Sequence, residues 1–205
     1  IWADGVFQVG RNKFTRTYKF MDINYAVASR EDQEAMFLEY SELLNSFDSG
    51  ATTKITINNR RLNRQDFEKA ILIPMREDGL DVYREEYNEM LLEKATGSNR
   101  MVQEKYVTVS VYKKTVEEAR NYFTRVGTDL MSHFARLGSK CVELDATERL
   151  RALHDFYRTG EETAFFFDLP QAMKKGHSFK DFICPDSFEF ERDHFKMGDR
   201  YGRVL

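Results

Sequence analysis

The chain has little of what usually betrays a specialised class. It carries only 2 cysteines, Cys141 and Cys184, too few for the disulfide framework of a small secreted domain. They read as thiols held by packing in a reducing compartment, with one disulfide as the single bridge open to them. Proline and glycine are scarce, at 3 and 11 of 205 residues, while 41% of the chain is hydrophobic and 32% charged. That is the balance of a folded chain rather than a disordered one. Apolar runs are short, as in Ala164-Phe165-Phe166-Phe167, against the roughly 20 residues a membrane-crossing helix needs, so no transmembrane segment is expected. Neither sign of charge dominates: 31 Lys and Arg stand against 34 Asp and Glu, a net charge of −3. Interspersed charge of this kind argues against a dedicated nucleic-acid surface. The opening residues IWADGVFQVG have neither the basic stretch nor the long apolar core of a signal peptide. A start at Ile1 without methionine and an end on Val204-Leu205 both read as cuts, and the native protein is expected to continue.

Catalytic signatures are missing as well. The chain holds no G-x-x-x-x-G-K-[ST] phosphate loop, no G-x-G-x-x-G dinucleotide fingerprint and no G-x-S-x-G nucleophile turn. Its four histidines, His133, His154, His177 and His194, stand more than four positions from one another and from either cysteine, without the tight local pairs that zinc sites recruit. Phe165-Phe166-Phe167-Asp168 has the form of an apolar strand presenting a magnesium-holding acid, but without a phosphate loop it reads as a core strand or buried turn. His154-Asp155 is the adjacent pair used by metal-dependent phosphohydrolases, without companion ligands at useful spacing, and reads as helix surface. Ser139-Lys140-Cys141, with His133 nearby in sequence, offers a thiol after a lysine, yet Cys141 opens a predicted strand and reads as a small buried hydrophobe. An enzyme made from scattered residues would have to use Asp168, His154 or Cys141. No catalytic, cofactor-binding or metal-ligating residue is assigned.

One local basic stretch remains, Asn58 to Arg64, where Arg60, Arg61 and Arg64 could meet a partner or a phosphate from a loop following a strand. Asp66 and Glu68 close by make a solvated loop the plainer reading. The 17 Phe and 10 Tyr fall mostly on predicted apolar faces, and any surplus is available to a partner surface.

What is present is alternating periodicity. Two short strands are predicted before Ile23. A helix capped by Ser29 then carries Met36, Phe37, Tyr40, Leu43, Leu44 and Phe47 as an apolar stripe. Thr52 to Asn58 (TTKITIN) alternates and is β-branched, a strong strand signal. A short helix around Phe67, Ala70 and Ile71 ends at Pro74, and a surface helix runs from Leu80 to Ala95, closed by Gly97. Met101 to Tyr112 is the clearest strand. Capping boxes at Thr115/Glu118 and Asp145/Glu148 start two more helices, separated by Gly138 and a strand at Lys140 to Leu144. Val116, Ala119, Phe123, Val126, Leu130, Phe134 and Leu137 line one face of the first. Short strands are expected at Phe188 to Phe190 and at Arg203 to Leu205. The class is α/β (α+β): repeated β-α-β units forming a mixed or antiparallel sheet covered by helices, with a ferredoxin-like layout compatible with that order. Residues 1–175 read as one docking or assembly domain, and 176–205 as a loop and the start of strands leading onward.

The stretches FMDINYAVASREDQEAMFLEYSELLNSFDSGATTKITINNRRLN, MREDGLDVYREEYNEMLLEKATG, VQEKYVTVSVYKKTVEEARNYF and GHSFKDFICPDSFEFERDHFKMGDRYGRVL carry a resemblance in combination. The chain resembles the amino-terminal region of the CagE/TrbE/VirB family, the conjugative-transfer ATPases of type IV secretion systems, in the TraE-like branch of Gram-positive integrative conjugative elements. The resemblance implies a non-catalytic piece that docks the ATPase on membrane-channel components and helps the full protein assemble as a homo-oligomer. It implies a cytoplasmic location, peripheral at the inner face of the cell membrane. ATP and Mg belong to a downstream motor domain, and none is implied for this piece. The alternative is a stand-alone phosphate- or nucleic-acid-binding module using Arg60, Arg61 and Arg64.

Overall fold

Strand pairing organises the molecule, whose computed structural model describes residues 1–61, 72–96 and 101–203. The elements are β1 (Phe7–Gly10), β2 (Lys13–Phe20), α1 (Arg30–Asn45), β3 (Thr52–Arg61), α2 (Asp81–Thr96), β4 (Met101–Tyr112), α3 (Val116–Arg136), β5 (Cys141–Glu143), α4 (Ala146–Tyr157), a single turn α5 (Leu169–Ala172), and β6 (Phe188–Phe190), β7 (Phe195–Met197) and β8 (Arg200–Gly202). β2 lies along β4, and β4 along β3. β1 and β5 share the other edge of β2, one opposite Lys13 to Thr15 and the other opposite Tyr18 to Phe20. Every pairing is antiparallel. The units β2-α1-β3 and β4-α3-β5 interleave in the order β5-β2-β4-β3, which is the split β-α-β, ferredoxin-like arrangement. The mixed α+β class read from periodicity is the class observed, with the sheet fully antiparallel.

The two faces of this sheet follow from alternation along its strands. Phe14 and Tyr18 of β2 and Val107, Val109 and Val111 of β4 turn to one face, where they pack with Ala119, Phe123, Val126, Leu130 and Phe134 of α3. Tyr18 is wholly buried and its hydroxyl donates to the Phe123 carbonyl at 3.1 Å. Gly127 stands one turn further on because a Cβ there would overlap the Glu143 carboxylate and crowd the Tyr18 ring at 3.1 Å. A glycine in mid-helix costs about 1 kcal/mol of propensity, and close packing of the helix on Tyr18 compensates for it.

The helix starts obey their local chemistry, with one departure. Ser29 accepts from the Asp32 N–H, and Asp145 and Glu148 form both halves of a capping box. Thr115 accepts from the Glu118 N–H, but the Glu118 carboxylate takes the N–H of Lys114 rather than that of Thr115. Half of the predicted box is therefore replaced by a contact one residue earlier.

Three other expectations change. The strand predicted to stop at Asn58 continues through Arg61, because β4 keeps pairing with it down to Arg61 opposite Met101. Phe165 to Asp168 is no strand: Asp168 caps α5 by accepting from the Gln171 N–H, Phe165 and Phe167 pack inward, and Phe166 is exposed. Among the described residues the last strand is Arg200–Gly202, paired with β7 in a small three-stranded sheet, and Arg203 stands just beyond it. The helix expected around Phe67, Ala70 and Ile71 lies outside the described residues, as do Gly97, Val204 and Leu205.

A second apolar cluster forms behind the main sheet from Phe7, Ala146, Leu150 and Ile183, with Phe165, Phe167, Phe179 and Phe182 against it. It joins residues from both sides of the division expected after residue 175. Adjacent residues at the start of the chain feed the two clusters, Val6 the first and Phe7 the second.

Candidate functional site

The surface with the least internal explanation lies on α1. The stripe read from the sequence splits in two: Leu43 is buried and Met36 and Phe47 pack beside it, whereas Phe37, Tyr40 and Leu44 are exposed. Helical geometry gives the reason. Leu43, Met36 and Phe47 share the side facing the sheet, and Glu39, rotated one way from them, meets His133 and Arg136 of α3. Tyr40, Leu44 and Phe37 are rotated the other way, away from α3 and toward the β3 side of the sheet. There, on the same sheet face, Ile55 and Ile57 of β3 are also half exposed. Phe37 is 64% exposed and Ile57 56%. β3 is also an edge strand, pairing only with β4 among the described residues, so its outer N–H and C=O groups are open to another chain. An apolar helix face beside an open strand edge is what a partner segment can cover.

A second feature lies on the opposite face of the sheet. Thr15 and Thr17 of β2, Thr108 of β4 and Lys54 and Thr56 of β3 form its floor, and Leu153, Phe156 and Tyr157 of α4 overhang it. They enclose a partly open slot of about 390 Å³. Arg149 of α4 reaches into the wall. Its guanidinium donates to the Gly5 carbonyl at 2.6 Å, to the Thr15 carbonyl at 2.9 Å and to the Thr15 hydroxyl at 3.1 Å, and stacks 3.9 Å above the Phe7 ring. It is buried, only 9% exposed. Burial, with Arg16 nearby, brings its pKa down to about 9, as expected of a guanidinium taken out of water. Sequence reading missed this group because an arginine in an amphipathic helix ordinarily points to water; the only signal was its place on the same helical side as Leu150 and Leu153.

The residues singled out for chemistry do not converge. Cys141 is buried, and its thiol is pushed up to about 11 by burial and by Glu143, which makes it inert at neutral pH. His133 is engaged with Glu39 at 2.6 Å, and Ser139 donates to the Met21 carbonyl. His154 and Asp155 are not helix surface: both are buried, 3.4 Å apart, with Phe165 edge-on to the imidazole. The sequence shows one apolar face on α4, but the chain after Gly160 folds back and covers the other. Cys141 and Cys184 are both free thiols. Arg60 and Arg61 occupy the last two positions of β3, opposite Val102 and Met101, and Arg64 lies outside the described residues.

Glu39, Glu42 and His133 bring one ligand atom each within 4.8 Å of one another, a spacing that suits a divalent ion. Arg136 already supplies the positive charge there, with Nε 2.8 Å from the same Glu39 oxygen and Nη2 2.7 Å from His133 Nδ1. The His133 hydrogen bond, followed by Arg136, outweighs desolvation and holds the Glu39 carboxyl below its ordinary range. The cluster reads as a clasp between α1 and α3.

Among the described residues no helix is long and apolar enough to cross a membrane. Comparison with known proteins finds no family model and no curated protein that matches this chain.

Proposed function

We propose that this chain is a non-catalytic docking and assembly domain, and that its partners are membrane-channel components of a conjugation system of the type IV secretion kind. In this reading it works at the inner face of the cell membrane as the front of an ATPase whose motor lies elsewhere. The observation that carries the docking role is the exposure of Phe37, Tyr40 and Leu44 on α1 and of Ile55 and Ile57 on the edge strand β3. These side chains stand outside the buried core, and each leaves apolar area in water that a partner would remove, at about 25 cal/mol per Å². The conjugation setting rests on the sequence resemblance alone.

The test is co-purification and surface-plasmon binding of the chain with the cytosolic parts of the channel components encoded alongside it. One component should bind, and Phe37→Glu with Leu44→Glu should weaken it by about a hundredfold, the loss expected when a central apolar anchor is replaced by charge. Failure of every component to bind, or binding indifferent to both substitutions, overturns the proposal.

A further inference from the structure

The slot behind the sheet has the composition of a site rather than of a packing defect. Among the described residues its lining contains Lys54 and Arg149 but no aspartate or glutamate, and Glu104, next to the lining residue Tyr106, is engaged by the Tyr106 hydroxyl and by Lys19. Arg149 is a buried cation with no carboxylate in ion-pair range among the described residues, although Arg16, Arg84, Arg120, Arg136 and Arg158 have each found one. A guanidinium offers five N–H donors; its three hydrogen bonds to Gly5 and Thr15 leave part of that fork without a protein acceptor among the described residues. An unpaired buried charge is costly unless something neutralises it. Threonine hydroxyls on the floor add donors that can turn toward an anion, Thr17 and Thr108 already sharing one hydrogen bond at 2.9 Å. Leu153, Phe156 and Tyr157 give the overhanging side an apolar, aromatic character.

We propose that the slot binds a small organic anion, a single carboxylate or phosphate head on an aromatic or branched aliphatic body, with Arg149 and Lys54 receiving the head and α4 covering the body. The charge of the lining selects the sign of the ligand, the fork of Arg149 suits a planar or tetrahedral oxyanion, and a slot of about 390 Å³ limits the body to a small molecule. The site lies on the opposite sheet face from the α1 surface, with only Ile57 of the β3 edge bordering both among the described residues, and small anionic probes test it apart from the docking role.

The experiment is an amide chemical-shift titration of the whole chain with three probes of one shape: phenylacetate, phenyl phosphate and the neutral phenylacetamide. Saturable shifts are expected at Thr17, Thr108 and Arg149 with at least one anion, the tighter of the two naming the head group, and phenylacetamide should bind at least about tenfold more weakly. Leu153→Trp, which fills the mouth from a half-exposed position, should abolish the shifts with the fold intact, and Lys54→Ala should weaken them. Arg149→Met also removes three structural hydrogen bonds, so the comparison of anions with the amide in the unaltered chain is the deciding one. Equal binding of the amide, shifts elsewhere in the molecule, or no saturable shift with either anion overturns the proposal.

Discussion

Gly5 has φ +81°, and a Cβ on it would overlap the Leu144 carbonyl oxygen. Gly79 has nearly the same φ, +79°, with open space around it. The pair separates backbone strain from crowding. Gly79→Ala should cost about 1 kcal/mol, the strain of a left-handed alanine alone, while Gly5→Ala should cost about 3 kcal/mol because β1 must also move off the β5–α4 turn. Urea unfolding of the two variants measures both. Asp4-Gly5 interrupts the apolar segment from Ile1 to Val9, but nothing in that segment shows that the interruption is pressed against the carbonyl of Leu144, far along the chain. Tyr18 and Gly127 make the same point: each is ordinary alone, and each is explained by the other.

At the scale of elements, α1 and α2 differ from α3 in how much of their apolar surface the molecule uses. Leu43→Ala should cost about 2–5 kcal/mol, since Leu43 is buried beneath α1. Leu44→Glu, one residue on, should change stability by no more than about 0.5 kcal/mol; thermal unfolding checks the contrast. Equal costs at the two positions would mean that α1 does not turn Leu43 toward the sheet and Leu44 away from it. The start of α2 depends on charge instead. Arg84 bridges Asp78 and Asp81, and its hydrogen bond, helped by the Leu80 N–H, brings Asp78 down to about 2 against an ordinary 3.8. A carboxylate depressed in this way contributes stability at pH values above 3.8, and the contribution is lost as pH falls through about 2. Amide shifts at the start of α2 should therefore move as pH falls through about 2 in the unaltered chain, and Asp78→Asn should remove Asp78's share of that transition while leaving α3 unaffected.

For the whole molecule, the two apolar clusters are tied through adjacent residues. Val6 packs under α3 and Phe7 under α4, so β1 cannot leave one cluster without leaving the other. Ile183, from the carboxy-terminal segment, is 4% exposed in the second cluster. Ile183→Ala should cost about 2–4 kcal/mol and still give one cooperative calorimetric transition; a separate early transition confined to the residues after Gly160 would show that the segment folds by itself. Sequence alone determined the order of the described elements from β1 to α4, the caps at Ser29 and Asp145, the buried stripe of α3 and the alternation of β3 and β4, because each depends on near neighbours repeating at a period of 2 or 3.6. Tertiary structure alone decided that the stripe of α1 divides, that His154 and Asp155 are buried, and that Arg149 ends in the wall of a slot. Those outcomes depend on which second element arrives at a helix's other face, and periodicity along a helix records how many faces are apolar but not what will cover them.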